Sequence, residues 1–391
     1  GAPVPLDIVR LMLITKLQSL SQGYSGISTE VLERMIWHLT TGYLPYVPSQ
    51  GSVGASGDLA PLAHMFLPLI GLGKVWDGNN WVETEAIFQK EGIKPIELGA
   101  KEGLALINGT QFIASYAVLG LHRLHNLLET ADIIGAMSLE GVLGSASPFD
   151  PALHKLRAFQ GSTHVAHRLK IMLQNSEMVE SHANCGRVQD PYSFRCMPQV
   201  HGASRNAWLH LKELTEIEIS DRRTYQLLEG DVEGLPKLLM RNTGINSGFM
   251  IPQYTSAALV SENKSLCFPA SADSIPTSLG QEDHVSMGSI SGRKLNTVLD
   301  NLENILAVEL VCAAQAFDYR KPMKSGVILD ACHELVRQKV DHAEEDRIFG
   351  DDIAVAREIV ASGELVQLAN EVALENHIDI GGQLGDRFTL K

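Results

Sequence analysis

The sequence has little positive charge, few aromatic residues and no paired cysteine motif. Only 32 Lys and Arg face 46 Asp and Glu, which gives a formal net charge of −14. Such a charge argues against nucleic acid and anionic membranes as partners, because like charges repel at long range. The five cysteines are scattered without a CxxC spacing. We therefore expect neither a zinc motif nor a redox motif. We expect reduced thiols, as in a cytoplasmic protein.

The sequence also lacks an apolar run suited to a membrane. The most apolar long run without charge, 104–121, contains Asn108, Thr110 and Gln111, which are costly in lipid. We therefore interpret this stretch as a buried helix and expect no membrane partner. The sequence begins at Gly1 without a basic segment or signal core, and we expect part of the natural N-terminus to be absent.

What the sequence does have is helical periodicity. Apolar residues at three- and four-residue steps predict a mainly α fold, whereas alternating strand-like stretches are few and short. Gly and Pro concentrate between 42 and 73 and predict a long loop there, with further turn-rich stretches at 186–198 and 269–292. The predicted helices cover 8–20, 104–143, 207–217, 293–317 and 328–340.

The segment 51–62 reads G-S-V-G-A-S-G-D-L-A-P-L. Its glycine spacing fits neither the dinucleotide fingerprint nor the Walker loop. It is not a serine-hydrolase elbow either, since Ser56 does not lie in G-x-S-x-G. An ordinary Gly/Ser-rich loop and a chance tripeptide remain the alternatives to a chemical role.

The chemical role is a ring made from the backbone of Ala55, Ser56 and Gly57. A strained turn would bring the amide nitrogen of Gly57 onto the carbonyl carbon of Ala55, and glycine offers the unhindered nitrogen and free backbone that this attack needs. Loss of one water on closure and of a second through the Ser56 hydroxyl would leave an exocyclic methylidene. An amine substrate could add to this electrophile.

The stretch G-S-V-G-A-S-G-D-L-A-P-L-A-H resembles the signature of the aromatic amino-acid ammonia-lyases. The resemblance continues at 108–111, 189–199 and 281–288 and covers nearly the whole chain. It implies a methylidene-imidazolone formed from Ala55, Ser56 and Gly57, with no external cofactor. It also implies a long-helix bundle of the ammonia-lyase and fumarase-like type, assembled as a homotetramer whose subunits share their active sites.

The same resemblance implies roles for four further residues. Asn108 matches the asparagine that binds substrate beside the ring, and Tyr192 the tyrosine that assists ring formation and catalysis. Arg195 matches the arginine that pairs with the substrate carboxylate, a two-pronged contact suited to a planar guanidinium. Gln189 is expected to orient the site by hydrogen bonding. Each of three residues also has a structural alternative. Asn108 could be a buried amide at a helix break, Tyr192 a half-buried core ring and Arg195 a member of an ordinary salt bridge.

The run 281–288 bears on substrate choice. Its segment Q-E-D-H resembles the histidine-specific members of the family. The resemblance implies that Gln281 and Glu282 bind the substrate. A carboxylate at Glu282 would favour an imidazole over a phenyl ring. The expected reaction is therefore non-oxidative deamination of L-histidine to trans-urocanate. The alternatives are a tyrosine or phenylalanine ammonia-lyase or aminomutase, and a non-catalytic structural relative.

The sequence departs from the family pattern in two places. The family carries a tyrosine assigned as the base, and a pocket histidine, in a region that precedes Gly1. Between residues 219 and 220 the family has several dozen more residues. Either the numbered sequence omits this segment or the chain has a real deletion there, and we favour the omission because both flanks match the family well. The expected domains are an N-terminal part with the ring-forming loop, 1–100, and the central bundle with the C-terminal helices, 101–391.

Two pairs of histidines are spaced as metal ligands on a helix can be. They are three residues apart, but no third ligand is in view, so we expect no metal site. We interpret them as partly exposed surface residues. The pairs are His122 with His125 and His164 with His167.

Overall fold

The computed structural model describes residues 1–54, 57–157, 159–184, 186, 188–209, 228, 234–241, 246–267 and 287–389. The chain divides into two compact units, each assembled from separate stretches of sequence. The first is Gly1–Gly120 with Leu266–Thr297, and the second is Leu121–Ser265 with Val298–Lys391. The division expected after residue 100 stays a prediction.

The described residues of the first unit form five helices that lie wholly within it, a small sheet and a short 3-10 helix at Leu67–Ile70. The three strands of the sheet, β1 (Leu44–Pro45), β2 (Lys74–Trp76) and β3 (Trp81–Glu83), are short and antiparallel and lie in this order, with Leu44 opposite Trp76. Few and short strands were expected, and this is confirmed. The elements are α1 (Leu6–Leu20), α2 (Thr29–Thr41), β1 (Leu44–Pro45), α3 (Leu59–Phe66), β2 (Lys74–Trp76), β3 (Trp81–Glu83), α4 (Thr84–Glu91) and α5 (Glu102–Ile107).

Helix α1 buries one face in the core of the first unit. Ile8, Met12, Lys16 and Leu20 follow at four-residue steps, and each is at most 2% exposed. This spacing puts side chains on the same side of an α-helix. The helix predicted over 8–20 is confirmed, but its buried face includes a lysine.

The second unit is helical. Two 31-residue helices, α6 (Gln111–Gly141) and α13 (Gly288–Asp318), begin in the first unit and end in the second along the chain. The mainly α prediction is confirmed. The helices that follow α5 are α6 (Gln111–Gly141), α7 (Pro151–Lys155), α8 (Gln160–Met172), α9 (Glu177–Ser181), α10 (Tyr192–Arg195), α11 (Met197–Leu209), α12 (Met250–Leu266), α13 (Gly288–Asp318), α14 (Val327–Lys339), α15 (Phe349–Ser362) and α16 (Glu364–Glu375).

The later part of α13 is buried around its whole circumference. Between residues 302 and 317 every side chain except Asn304 is buried, including those of Glu309 and Gln315. A helix that is apolar on all sides requires such an environment. The helix predicted over 293–317 is confirmed.

A buried network of charges joins α6, α8 and α11. Asp132 accepts hydrogen bonds from Arg168 Nε at 2.8 Å, Arg205 Nη2 at 2.8 Å and His201 Nδ1 at 2.8 Å. Glu129 pairs with the same two arginines at 2.8 and 3.0 Å. Burial alone would raise the pKa of both carboxyls, but the arginines outweigh it and hold each pKa below its usual range. The network fixes α11, the helix that follows Tyr192–Arg195.

The prediction of one long loop over 42–73 is wrong in its second half, where α3 lies. Pro61 is the third residue of this helix. Proline is tolerated in the first turn, because the amide hydrogens there have no partner within the helix. Residues 210–217 and 269–286, parts of a predicted helix and a predicted turn-rich stretch, lie outside the described residues.

The prediction of one buried helix starting at 104 is also wrong. Helix α5 ends at Ile107, Asn108 is extended, and α6 begins at Gln111.

His164 is not the partly exposed surface residue that was expected. It is only 3% exposed and stacks on Phe388 with 4.8 Å between ring centroids. No helix among the described residues is long and apolar enough to span a membrane.

Candidate active site

Gly57, the last residue of the predicted ring, is described together with its neighbours, whereas Ala55 and Ser56 lie outside the described residues. Gly57 has φ +105 and forms a parallel bridge with Gly109, whose φ is +149. A Cβ on Gly57 would lie 2.5 Å from the backbone N and O of Gly109. Both the dihedral and the close approach therefore require glycine at position 57.

Asp58 ties this loop to the start of α6. Its backbone N–H donates to the Gly109 carbonyl at 2.7 Å, and its Oδ2 accepts from the Ile113 N–H at 3.1 Å. Ile113 is in the first turn of α6, where amide hydrogens lack helical partners and favour an anion. Burial raises the pKa of the Asp58 carboxyl, although hydrogen bonds from the backbone and from Ser52 oppose the rise.

The sequence reasoning assigned no role to Asp58. Its position directly after the tripeptide was a signal, but the partner on α6 lies 55 residues away. The carboxylate holds the loop and the α6 N-terminus in one arrangement.

Asn108 lies between α5 and α6 with an exposed side chain. Its backbone N–H donates to the Leu104 carbonyl at 3.0 Å, and its carbonyl accepts from Lys16 Nζ at 2.6 Å. The alternative of a buried amide at a helix break is therefore wrong, since only the backbone of Asn108 serves the break. Its side chain is available to contact a ligand.

Gln189, Tyr192 and Arg195 come together in the second unit. Arg195 Nη1 donates a hydrogen bond to Gln189 Oε1, and the guanidinium carbon lies 5.9 Å from the centroid of the Tyr192 ring. The Tyr192 side chain is 67% exposed, which contradicts the alternative of a half-buried core ring. The acceptor for Arg195 in the described part of the chain is thus an amide oxygen rather than a carboxylate.

Two buried residues anchor this segment from below. Phe194 is fully buried, and Asp190 is 8% exposed and accepts from the Ser145 N–H at 2.7 Å. Buried anchors alternate here with the exposed or half-buried Gln189, Tyr192 and Arg195. The backbone is therefore fixed while the polar side chains face outward.

The described candidate residues thus fall into two groups, one in each unit, and the other candidates lie outside the described residues. Gly57 and Asn108 belong to the first unit, and Gln189, Tyr192 and Arg195 to the second. Gln281 and Glu282 lie outside the described residues, as do Ala55 and Ser56. Among the described residues no cluster of three or more metal-binding side chains occurs.

The sequence profile of the aromatic amino acid lyases matches residues 1–220 and 218–338. This chain belongs to the aromatic amino acid lyase family. The two matched stretches meet at the junction of residues 219 and 220, where the sequence departs from the pattern of this family.

Individual aromatic amino acid lyases match over most of the chain. The histidine ammonia-lyase of Myxococcus xanthus is 43% identical over 94% of this chain and 81% of that protein. The histidine ammonia-lyase of Enterobacter sp. is 41% identical over 94% of this chain and 82% of that protein. This similarity extends through both compact units.

Solved structures of related enzymes have the same fold. Histidine ammonia-lyase from Trypanosoma cruzi has a TM-score of 0.89 at 34% identity, over 100% of this chain and 82% of that one. Tyrosine aminomutase from Streptomyces globisporus has a TM-score of 0.87 at 30% identity, over 95% and 82% of the two chains. The ammonia-lyase fold expected from the sequence is confirmed.

Proposed function

We propose that this protein removes ammonia from L-histidine without oxidation and releases trans-urocanate. The observation that carries the proposal is the 43% identity, over 94% of the chain, to a histidine ammonia-lyase. The run Q-E-D-H at 281–284 supports the same substrate, because its carboxylate can hold an imidazole.

We further propose that Ala55, Ser56 and Gly57 form a methylidene-imidazolone. The surroundings of Gly57 fit this group, because they hold position 57 in a backbone conformation that only glycine adopts easily and leave no room for a Cβ. When formed, the ring supplies an electrophile that makes the amino group of the substrate a better leaving group. Asn108 and Asp58 would support it from the adjacent backbone.

Arg195 is proposed to bind the substrate carboxylate. Its guanidinium is oriented by Gln189 rather than by an acidic side chain of the described residues, so its charge can serve an incoming carboxylate. Tyr192 lies beside it and is exposed, which suits a phenol that contacts the substrate or the ring. Holding the carboxylate fixes the geometry in which a base removes the β-proton.

Glu282 and Gln281 are proposed to select the side chain of the substrate. A carboxylate favours a hydrogen-bonded or charged imidazole, an advantage that a phenyl ring cannot use. Replacing Glu282 by Ala should therefore reduce turnover of histidine. Unchanged turnover of histidine by Glu282→Ala would remove this role.

The assembly is proposed to be a homotetramer in the cytoplasm, with active sites built from several subunits. Exposed apolar side chains occur in the second unit, among them Leu156 at 83%, Phe159 at 63% and Val188 at 99% exposure. Exposed apolar surface of this kind is typical of protein interfaces. Sedimentation of a monomer at micromolar concentration would contradict the tetramer.

The test is the formation of urocanate by the full-length protein. Histidine, tyrosine and phenylalanine are supplied separately, and the acrylate, β-amino acid and ammonia products are identified. We expect urocanate from histidine and no comparable product from the other two. Ser56→Ala is the control and should yield none. Aryl acrylates or β-amino acids as the main products would replace the proposal by a tyrosine or phenylalanine lyase or aminomutase.

A further inference from the structure

Lys16 is a charged residue in an apolar position. It occurs on the buried face of α1, four residues after Met12 and four before Leu20, and its own side chain is 2% exposed. An apolar residue is expected at such a position, because burying an ammonium group is unfavourable unless it is well paired. Packing alone therefore does not explain a lysine here.

The partner of Lys16 is the carbonyl oxygen of Asn108. Lys16 Nζ donates to it at 2.6 Å, across a sequence separation of 92 residues. Among the described residues the partner of Lys16 is this carbonyl, and no charged side chain perturbs its pKa. Burial lowers the pKa of Lys16 to about 8. The desolvation of this ammonium group is therefore unfavourable, and the hydrogen bond to Asn108 is the interaction that offsets it.

The bond holds a backbone segment that is paired with Gly57, the last of the ring-forming residues. Asn108 is followed by Gly109, whose backbone is bridged to Gly57 and accepts the Asp58 N–H at 2.7 Å. On one side of this pairing, Asp58, the residue that follows the tripeptide, accepts a hydrogen bond from α6. On the other side, the Asn108 carbonyl accepts a hydrogen bond from Lys16 of α1.

We propose that Lys16 is a positioning residue for ring closure. By fixing the Asn108 carbonyl it keeps the Asn108–Gly109 backbone against Gly57, and so holds the Gly57 nitrogen in place for its attack on the Ala55 carbonyl. This inference rests on the proposed function, because it concerns the same ring. It assigns Lys16 no contact with the substrate.

The closure that Lys16 assists needs no added reagent. The Gly57 nitrogen forms a bond to the Ala55 carbonyl carbon, and the Gly57 N–H proton passes to the former carbonyl oxygen. That oxygen then leaves as water with the Ser56 N–H proton, which creates a C=N bond. The Ser56 hydroxyl leaves as a second water with the Ser56 Cα proton and creates the methylidene.

The experiment follows ring closure in newly made full-length protein by intact mass, as the loss of two waters over time. Lys16→Met keeps the length and apolar stem but removes the donor. We expect closure about ten-fold slower, which corresponds to about 1.4 kcal/mol in the transition state. Lys16→Arg keeps charge and donors and should restore most of the rate. Circular dichroism checks that each variant folds.

Met12→Ala is the matched control, because it opens a cavity one turn earlier in the same helix without touching Asn108. It should lower the melting temperature yet leave the closure rate as in the wild type. If Lys16→Met does not fold, Lys16→Gln replaces it, since its shorter amide does not reach the Asn108 carbonyl and closure should again be slow.

A folded Lys16 variant without the donor that closes at the wild-type rate would overturn the inference, as would equal slowing by Met12→Ala. Both outcomes leave the proposed function intact. A wild-type protein that never loses two waters overturns the proposed function itself and this inference with it.

Discussion

Replacing Arg168 by Met tests how strongly the buried charge network stabilises the second unit. The Arg168 side chain is 4% exposed and contacts Asp132 and Glu129, each at 2.8 Å. Its removal leaves two buried carboxylates with only part of their compensation, and breaking a buried pair in this way costs about 3–5 kcal/mol. Arg205 still contacts both carboxylates, so we expect the lower end of this range.

Lys170→Met is the matched control on the same helix. Lys170 is 44% exposed, and its pair with Asp150, itself 51% exposed, is 3.7 Å long. An exposed pair contributes about 0–1 kcal/mol. The free energy of unfolding is measured in urea at pH 7 and one fixed protein concentration. Equal losses for Arg168→Met and Lys170→Met would refute the assigned role of burial.

The same variants have a defined pH dependence. The network depresses the pKa of Asp132 and Glu129 in the folded state. Its stabilisation is therefore present above the unfolded pKa values of about 4 and is lost as the pH falls through the folded ones. The deficit of Arg168→Met should be largest near pH 7 and should shrink below about pH 4. A deficit independent of pH would contradict this explanation.

Three further variants test other parts of the structure. Gly57→Ala should prevent the loss of two waters, because its Cβ would overlap the backbone of Gly109; a mature mass in this variant would show that the close approach does not matter. Burial raises the pKa of Glu140 to about 7, although the Ser325 hydroxyl opposes the rise. The unfolded carboxyl ionises earlier, so this group favours unfolding by up to about 3 kcal/mol as the pH rises from 4.5 to 8. Glu140→Gln should remove this part of the pH-dependent fall in the free energy of unfolding, measured by urea titration. An unchanged fall would contradict the raised pKa of Glu140. Arg195→Lys keeps the charge but loses the two-pronged contact, so KM for histidine should rise about ten-fold or more; an unchanged KM would remove Arg195 from the carboxylate site.

The helical architecture was predictable from the sequence because apolar spacing reports which faces are buried. The patterns over 8–20, 293–317 and 328–340 correspond to α1, α13 and α14. Element boundaries were less accessible where local signals compete. Pro61 indicated a loop, but a proline in the first turn of a helix loses no hydrogen bond.

The candidate site was predictable only in part. Gly57 and Asn108 belong to short motifs whose chemistry can be read locally. The contacts from Lys16 to Asn108 and from Asp58 to Ile113 cross 92 and 55 residues, and only tertiary packing determines such pairs. A lysine within the apolar stripe of α1 was the one local signal of the first contact.

The most direct test of the central claim is the mass of the peptide that contains residues 51–62, taken from mature full-length protein. Condensation of Ala55, Ser56 and Gly57 predicts a mass lower by two waters in the wild type and the unmodified mass in Ser56→Ala. An unmodified wild-type peptide from folded protein would contradict the account.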